Sequence, residues 1–352
     1  MIQSLTSLRF LFILLIVLFH IVGEHFEFGG DCGVTFFLML SGFVLSYAYG
    51  QRVLDGHFRT FSFMKKQLTK FYPLHLLMLV VMVLLDARLE RYYEWYQLLP
   101  SVLLIQSWFP FDAIIHVANA SSWFLCALMF AYAVFPFVFR FLYRMSPKYL
   151  MVTIAAVLVA YGWVISVVPL HQLNNIVCLF PLLRVLDFCI GILVFRLCVS
   201  PLGMAFGKHL QTWPAWQVTL LELMPLVLVV LMFPIYGIIS PRLRCVSMFW
   251  LVLPFLLLVF VKTDKLRGWI TWLLHRPLML WLGGISMEIY LTHWPVMRVF
   301  NSLLHSLGQY DRLPTACVLL FTLIAIVLAA YAFQCCFVRL VQRKLSYLIS
   351  FK

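Results

Sequence analysis

The sequence predicts an all-α protein, a polytopic transmembrane bundle of about ten helices with both termini in the cytoplasm. Composition is the first observation behind this prediction. The 352 residues are 64% hydrophobic and only 11% charged, whereas soluble domains are about half apolar and a quarter charged. The second observation is a series of long apolar runs bounded by charged residues, Pro or Gly. The third is the uneven distribution of basic residues between the loops that join these runs.

Ten apolar runs are predicted to cross the bilayer, whose hydrocarbon core takes about 20 helical residues. In chain order they cover residues 7–22, 33–49, 71–85, 121–143, 149–168, 178–198, 217–236, 245–261, 283–304 and 314–340. Two further stretches fit the membrane interface better. Residues 97–108 are too few to cross, and residues 269–281 are expected to form a helix that lies along the inner face.

Basic residues fix the predicted orientation. With both termini in the cytoplasm, most of the 26 Lys and Arg residues fall in inner segments, as the positive-inside rule requires. Most of the 13 acidic residues fall outside. The net charge of +13 therefore reflects membrane topology. No segment resembles a nucleic-acid-binding module, so the expected surroundings are a lipid bilayer and not a nucleic acid.

The pattern of cysteines argues against a disulfide or metal role, and the first apolar run argues against a cleaved signal peptide. The nine cysteines lie mostly in predicted spans, with no CxxC motif and no Cys/His metal spacing, so we interpret them as small buried hydrophobic residues and predict no metal. The first run lacks a small-residue cleavage site, so it is expected to be a retained span. Residues 1–352 are predicted to form a single transmembrane domain with no soluble appendage.

Two ionisable residues inside the first span carry the main functional signal. Arg9 and His20 are eleven residues apart, so in a helix they point only about 20° apart and stand about 16 Å apart along the axis. An arginine inside a bilayer costs about 2.5–3.5 kcal/mol. The spacing therefore suggests two groups that serve opposite ends of one internal channel, although Arg9 can also snorkel to headgroups.

His20 also has a carboxylate one helical turn away. Glu24 lies at i+4 on the same face, where it can orient the ring or stabilise its protonated form. Such a pair can act as a general base. The alternative is a histidine that only makes a hydrogen bond between helices.

Other polar residues in the predicted spans are candidates for an internal cavity. Arg184 and Asp187 can neutralise each other at i, i+3, either as a structural pair or beside a substrate. Lys66 and Lys70 lie at the predicted inner face. They either bind a phosphate-rich cytosolic ligand or form the ordinary basic flank of a membrane span. The remaining candidates are Ser41, Trp123, Glu288, Tyr290 and His293.

Several segments of the chain, taken in chain order, resemble motifs of the membrane acyltransferase-3 family, and the resemblance covers nearly the whole chain. The strongest part is SLRFLFILLIVLFH, which reproduces the family's Arg-x10-His motif at Arg9 and His20. GVTFFLMLSGFVL, which contains Ser41, is similar to the family's GVDxFFxLSGFxI. KKQLTKFYPLHL, RVLDFCIGIL and SMEIYLTHWPV also resemble family motifs, and SSWFLCALMFAYAVFPFV, which contains Trp123, matches another in outline.

The resemblance implies an enzyme. Its expected activity is O-acyl transfer, usually O-acetyl transfer, from cytoplasmic acyl-CoA to a hydroxyl group of a sugar, often in a bacterial surface polysaccharide or its lipid-linked precursor. Carried over to this sequence, the resemblance makes His20 the catalytic base, and from its position at i+4 we expect Glu24, or a nearby acid, to stabilise the protonated ring. Arg9, Lys66 and Lys70 would lie near the coenzyme A end, and Arg184 and His293 would line the cavity. The expected location is a bacterial inner membrane.

The sequence departs from the family pattern at several positions. The aspartate of the GVD motif is Thr35, and the acid of the WSLSVE motif falls on Leu128. Lysines at 66 and 70 replace arginines, which removes bidentate phosphate geometry. Asp31, Glu24 or Glu288 is a candidate for the missing carboxylate. These departures keep two alternatives open: a carrier or flippase for a lipid-linked sugar or organic anion, and a catalytically lapsed relative that acts as a sensor or scaffold.

Overall fold

The structure, a computed structural model, describes residues 2–245, 248–266, 268–307 and 314–341, apart from the side chains of Glu24 and His25. The α-helices of these residues are α1 (Gln3–Val22), α2 (Glu27–Leu54), α3 (Thr60–Arg88), α4 (Trp95–Val102), α5 (Asp112–Ile115), α6 (Trp123–Arg144), α7 (Pro147–Val167), α8 (Pro181–Val199), α9 (Pro201–Leu210), α10 (Ala215–Ile238), α11 (Pro241–Cys245), α12 (Phe249–Thr263), α13 (Trp269–Leu274), α14 (Pro277–Gly284), α15 (Ser286–Ser306) and α16 (Thr315–Phe333). Short 3₁₀ and π turns join several of them, and the described residues contain no strand.

The helical bundle confirms the predicted fold class. Eight helical segments of the described chain are long and apolar enough to cross a membrane. They become nine if Leu170–Cys178 and Pro181–Val199, which meet at a bend of 49°, form one span. The predicted span over residues 283–304 corresponds to α15, which is 21 residues long but is not among the helices of the described chain that are apolar enough to cross a membrane. Its sequence is more polar because it carries Glu288, Thr292 and His293.

The core of the bundle is formed by α1, α2, α6 and α8. Helix α2 packs against the other three, and α12 covers the α8 side. Two glycines allow α2 and α8 to approach closely. A Cβ at Gly191 would stand 1.9 Å from the Met39 carbonyl oxygen, and one at Gly42 would stand 2.0 Å from the Phe188 carbonyl oxygen. Small residues at such crossings let membrane helices pack backbone to backbone.

Several helix limits differ from the prediction. Helix α3 begins at Thr60, so Lys66 and Lys70 lie on the helix itself and not before it. The predicted inner-face helix over 269–281 is two helices, α13 and α14, separated by His275 and Arg276.

Helix α14 is separated from α15 by Ile285 alone and packs along α1. A Cβ on its Gly283 would stand 1.9 Å from the Thr6 carbonyl oxygen. Broken helices of this kind occur in membranes where protein covers the interrupted backbone.

The intramembrane Glu222, for which the sequence indicates no partner, stabilises the start of α13. Its carboxylate accepts hydrogen bonds from the backbone N–H groups of Ile270 and Thr271, at 3.1 and 3.2 Å, and from the Thr271 hydroxyl. The first N–H groups of a helix have no partner within the helix, and a carboxylate there also opposes the positive end of the helix dipole. This fully buried charge therefore has a structural role.

Candidate functional site

A cavity of about 640 Å³ opens at one end of the bundle. The C-terminal ends of α1 and α10 and the N-terminal ends of α2 and α6 converge there, which is the outer side in the predicted topology. The polar residues that line it are His20, Glu27, Asp31, His116, Asn174 and Arg244, and its aromatic wall includes Trp123, Tyr236, Tyr290 and Trp294. The arrangement is a polar chamber with aromatic walls, typical of sites that bind small polar molecules.

His20 lies beside two residues of α15 in this chamber. Its ring centroid is 5.0 Å from that of His293, with the planes tilted by 32°, and 5.1 Å from that of Trp294, which it meets edge to face. The first span and the segment GGISMEIYLTHWPVMR therefore meet in space, although more than 270 residues separate them in sequence.

The hydrogen bonds of α15 determine which groups remain available. The Nδ1 atom of His293 lies 2.6 Å from the Tyr290 carbonyl oxygen. Because a carbonyl can only accept, Nδ1 carries a proton, and in the neutral ring Nε2 is an acceptor. This Nε2 atom is buried and has no partner within the described part of the chain. The Tyr290 hydroxyl donates to the Ser121 carbonyl and is thereby engaged.

Trp294 presents an unused donor next to His20. Its indole Nε1 is buried and unpartnered among the residues that the structure describes. An indole N–H can only donate, and buried polar groups without partners are rare enough to require an explanation. The sequence alone gave Trp294 no separate role, because a tryptophan in a membrane helix is usually an interfacial anchor.

Arg184 and Asp187 form the predicted ion pair, at 3.0 Å, behind the cavity wall. Arg184 also approaches Asp31 at 3.9 Å and donates to the Thr35 hydroxyl at 3.3 Å. Its guanidinium lies 5.9 Å from the Trp123 ring centroid. Buried charges are tolerated when they are paired and hydrogen-bonded in this way. Thr35 stands where the family motif has an aspartate, and Asp31, one turn earlier, supplies a carboxylate to the same arginine.

A second chain of interacting polar side chains lies at the rim of the cavity. The sequence analysis assigned these residues no role. Arg244 pairs with Glu27 at 2.6 Å and lies 4.9 Å from the centroid of the Tyr236 ring. The Tyr236 hydroxyl donates to Asp31. This chain connects α10, α11 and α2. Only the presence of acids in the first outer loop signalled it in the sequence.

His116 adds a second histidine to the cavity wall from the outer connection between α3 and α6. Burial lowers the pKa of its imidazole, and the nearby Asp112 carboxylate, 3.8 Å away, offsets that effect only in part. The ring is therefore neutral at pH 7.

Arg9 belongs to a different group of charges. It is half-buried and is not among the residues that line the cavity. Its charge acts on Lys70 and Tyr132, and Lys70 also feels Lys66 and Glu288. Between Arg9 and His20, the interior face of α1 carries the buried side chains of Ile13 and Ile16.

The predicted site residues thus fall into two groups. His20, Trp123 and Tyr290 line the cavity directly, while His293, Arg184 and Asp187 support its walls. Arg9, Lys66, Lys70 and Glu288 form the second group, and Ser41 joins it through the Tyr132 side chain. The side chain of Glu24 lies outside the described residues.

The position of the missing family carboxylate is filled by apolar packing. Leu128 is only 1% exposed and belongs to the same hydrophobic cluster as Ile13, Ile16 and Ile289. Among the candidate replacement acids, Asp31 lines the cavity and Glu288 does not. Within the described chain, no group of three or more His, Cys, Asp or Glu residues is placed to hold a metal ion.

Comparison with known proteins shows which family the sequence belongs to. The sequence model of one family, Acyl_transf_3, described as an acyltransferase domain, matches residues 2–335. The chain is 27% identical over 341 residues to "Acyltransferase MdmB" of Streptomyces mycarofaciens, a match that covers 88% of this chain and 82% of that protein. A shorter match, 39% identical over 69 residues, relates 18% of the chain to 36% of "Protein 2 in picA locus" of Rhizobium radiobacter. No solved structure matches.

Proposed function

The chain belongs to the Acyl_transf_3 family of acyltransferases, and we propose that it is an integral-membrane O-acetyltransferase. In this proposal, an acetyl group moves from cytoplasmic acetyl-CoA to a hydroxyl group of a sugar, in a surface polysaccharide or its lipid-linked precursor. The proposed location is a bacterial inner membrane. The observation that carries the proposal is the imidazole of His20 in a polar cavity beside an acceptor, His293 Nε2, and a donor, Trp294 Nε1, neither of which has a partner among the described residues.

His20 acts as the general base in this mechanism. It takes the proton of the acceptor hydroxyl while that oxygen attacks the thioester carbonyl carbon. The carbon–sulfur bond then breaks, the ester is released into the cavity, and the proton is returned to the departing thiolate. General-base assistance of this kind contributes about 10²–10⁴-fold to the rate.

His293 and Trp294 have complementary roles around that step. The Nε2 lone pair of His293 is suited to accept a hydrogen bond from the imidazole of His20, which orients the ring and stabilises its protonated form. The Nε1–H group of Trp294 is suited to donate to the oxyanion that develops on the thioester carbonyl. Tyr290 fits a supporting role, because its hydroxyl proton is engaged by Ser121.

We assign the binding of the acyl-CoA donor to the cationic group of Arg9, Lys66 and Lys70. This group lies beyond Ile13 from His20 along α1. Lys66 and Lys70 are exposed on α3, and Arg9 lies within electrostatic range of Lys70. Cations so placed suit the phosphates of coenzyme A. The thin pantetheine arm would then have to pass the buried Ile13 and Ile16, which pack between Arg9 and His20 along α1.

The acceptor end is assigned to the cavity. Its aromatic walls, including Trp123 and Tyr236, offer flat apolar faces for sugar rings, and Glu27, Asp31 and Asn174 offer hydrogen-bond partners for hydroxyl groups. Its volume of about 640 Å³ lies within the range of small-molecule sites.

The test of the proposal is His20→Ala, assayed in membranes for transfer of label from acetyl-CoA to endogenous glycan. We expect a loss of about 10²-fold or more. The matched control is His209→Ala, because His209 is exposed on α9, away from the cavity. Undiminished transfer by His20→Ala at equal protein level would refute the mechanism.

A binding measurement distinguishes the proposed transferase from a carrier and from a relative that has lost its catalytic activity. We expect acetyl-CoA and free coenzyme A to raise the melting temperature of the purified protein. Binding combined with turnover supports the transferase, whereas binding without turnover supports a lapsed relative. Translocation of a sugar lipid without consumption of acetyl-CoA would identify a carrier.

A further inference from the structure

Two cysteines meet in the wall of the outer cavity. The Sγ atoms of Cys178 and Cys245 lie 3.5 Å apart, although 67 residues separate them in sequence. Cys178 ends the π-helical turn that precedes α8, and Cys245 ends α11. Both side chains line the cavity together with Glu27, Asp31 and Arg244.

Hydrogen bonds that do not involve sulfur hold the two backbone segments at this spacing. The Cys178 carbonyl accepts from Arg184 Nε, and the Cys245 carbonyl accepts from the Tyr161 hydroxyl at 2.7 Å. The Tyr161 ring in turn packs 5.1 Å from the Trp250 ring. Each cysteine is therefore fixed by its own neighbours. The sulfurs would have to approach by about 1.5 Å from their present separation of 3.5 Å to reach the bonding distance of about 2.05 Å.

The chemical environment favours oxidation of this pair. The cavity lies at the end of the bundle to which the acidic loops map and away from the Lys-rich inner face. Outside the cytoplasmic membrane, paired thiols are oxidised and persist as disulfides. Among the other cysteines, Cys32, Cys126 and Cys198 are buried, and no other pair of cysteine sulfurs within the described residues makes such a contact.

We propose that Cys178 and Cys245 form a disulfide bond that fastens the outer wall of the cavity. In its formation each thiol loses one proton and the pair loses two electrons. The electrons pass by thiol–disulfide exchange to the disulfide of an extracytoplasmic thiol oxidoreductase, which is reduced to two thiols. The bond would join the segment that begins at Cys178, which includes Arg184, to the segment of Arg244. It would thereby fix both arginines relative to Asp31 and Glu27. This inference does not depend on the acyl-transfer proposal.

The direct test counts free thiols. Full-length protein is denatured in SDS with excess iodoacetamide, with and without prior reduction, and the alkyl groups are counted by intact mass spectrometry. The chain has nine cysteines, so we expect seven alkylated cysteines before reduction and nine after it. Nine before reduction would overturn the proposal, and so would a peptide map that links any other pair.

Matched variants make the assignment specific. Cys178→Ser should show eight alkylated cysteines with and without reduction, and Cys178→Ser/Cys245→Ser should show seven in both. A reductant should lower the melting temperature of the wild type and leave that of the double variant unchanged. If the variants fail to accumulate, wild-type protein from cells lacking the extracytoplasmic thiol oxidase should show nine free thiols. Seven free thiols there as well would contradict the proposed route of oxidation.

Discussion

The hydrogen bond from His293 to the Tyr290 carbonyl decides which hydrogen bonds His293 can make beside His20. With the Nδ1 proton engaged, the Nε2 atom of a neutral His293, which has no partner within the described residues, can only accept, so it cannot donate to an oxyanion. As far as the structure describes the chain, Trp294 is the residue of the pair whose donor has no partner. Neighbouring positions on one helix thus present an acceptor and a donor near the same imidazole.

Trp294→Phe tests the donor role. The substitution keeps an aromatic ring against His20 and removes the N–H group together with one ring of the indole. We expect kcat to fall by about 10²-fold with little change in KM for acetyl-CoA, since oxyanion donors act in the transition state. The control is Trp163→Phe on the exposed face of α7. An unchanged kcat in Trp294→Phe would leave the indole without a catalytic role.

Asp31 places a carboxylate beside Arg184, whereas Thr35, at the motif position of the family aspartate, has none. The carboxylate stands 3.9 Å from Arg184 and accepts from Tyr236. Because residues four apart share a helix face, Asp31 and Thr35 reach the same Arg184 guanidinium.

At the scale of the helices, the crossing of α2 and α8 depends on glycine. The two backbones approach so closely that a single methyl group at Gly191 or Gly42 meets a carbonyl oxygen. Helix α8 carries Arg184 and Asp187, and α2 carries Asp31 and Thr35. The crossing therefore sets the geometry of the ion-pair network.

Gly191→Ala is expected to destabilise the protein by about 1–3 kcal/mol, the usual cost of overpacking. The measurement is the melting temperature of purified protein in detergent. Gly162→Ala is the matched control, since a Cβ at that position on α7 meets no atom within 4 Å, and alanine favours helix. Equal destabilisation by both substitutions would contradict the packing argument.

The N-terminus of α1 is held to the turn after α12 by a carboxylate. Asp264 accepts from the Ser4 backbone N–H at 2.8 Å, from the Ser4 hydroxyl and from His275 Nε2 at 3.0 Å. Burial alone would raise the pKa of this carboxyl, but the hydrogen bonds from Ser4 and the contact with His275 outweigh it, so the pKa lies below its ordinary value of 3.8.

This lowered pKa predicts a pH dependence of stability. The contribution of Asp264 is complete above the unfolded-state pKa of 3.8 and is lost as the pH falls through the lower folded-state pKa. Asp264→Asn should therefore melt below the wild type at pH 7, with a difference that narrows below about pH 4. Asp55→Asn, at an exposed carboxylate bonded to Gln51, is the control. A difference that stays constant down to about pH 3 would exclude the ionised carboxylate as the cause.

At the scale of the whole molecule, the two ends of the bundle carry different chemistry. Basic residues of the inner end also serve the structure, because Arg196 and Lys262 donate to carbonyls at the ends of α6 and α8. Lys66 and Lys70 are exposed on α3, which leaves them available for a soluble anion.

Lys66→Ala/Lys70→Ala should raise KM for acetyl-CoA by up to about thirtyfold, since each exposed charge contact contributes up to about 1 kcal/mol. We expect kcat to change little, because these residues lie far from His20. Lys148→Ala/Lys208→Ala, at two other exposed inner positions, controls for loss of net charge. An identical KM in both double variants would remove the lysines from the donor site.

The sequence by itself determined the fold class and most of the spans. These features are local, because the length of an apolar run and the 3.6-residue period need no information about neighbouring helices. The same reasoning placed Arg184 beside Asp187 at i, i+3.

Only the tertiary structure decided which distant side chains meet. It brought His20 to His293 and Trp294, Cys178 to Cys245, and Glu222 to the start of α13. These contacts depend on the rotation and depth of each helix against its neighbours. Close backbone packing at glycines such as Gly191 fixes both, and no local pattern encodes them.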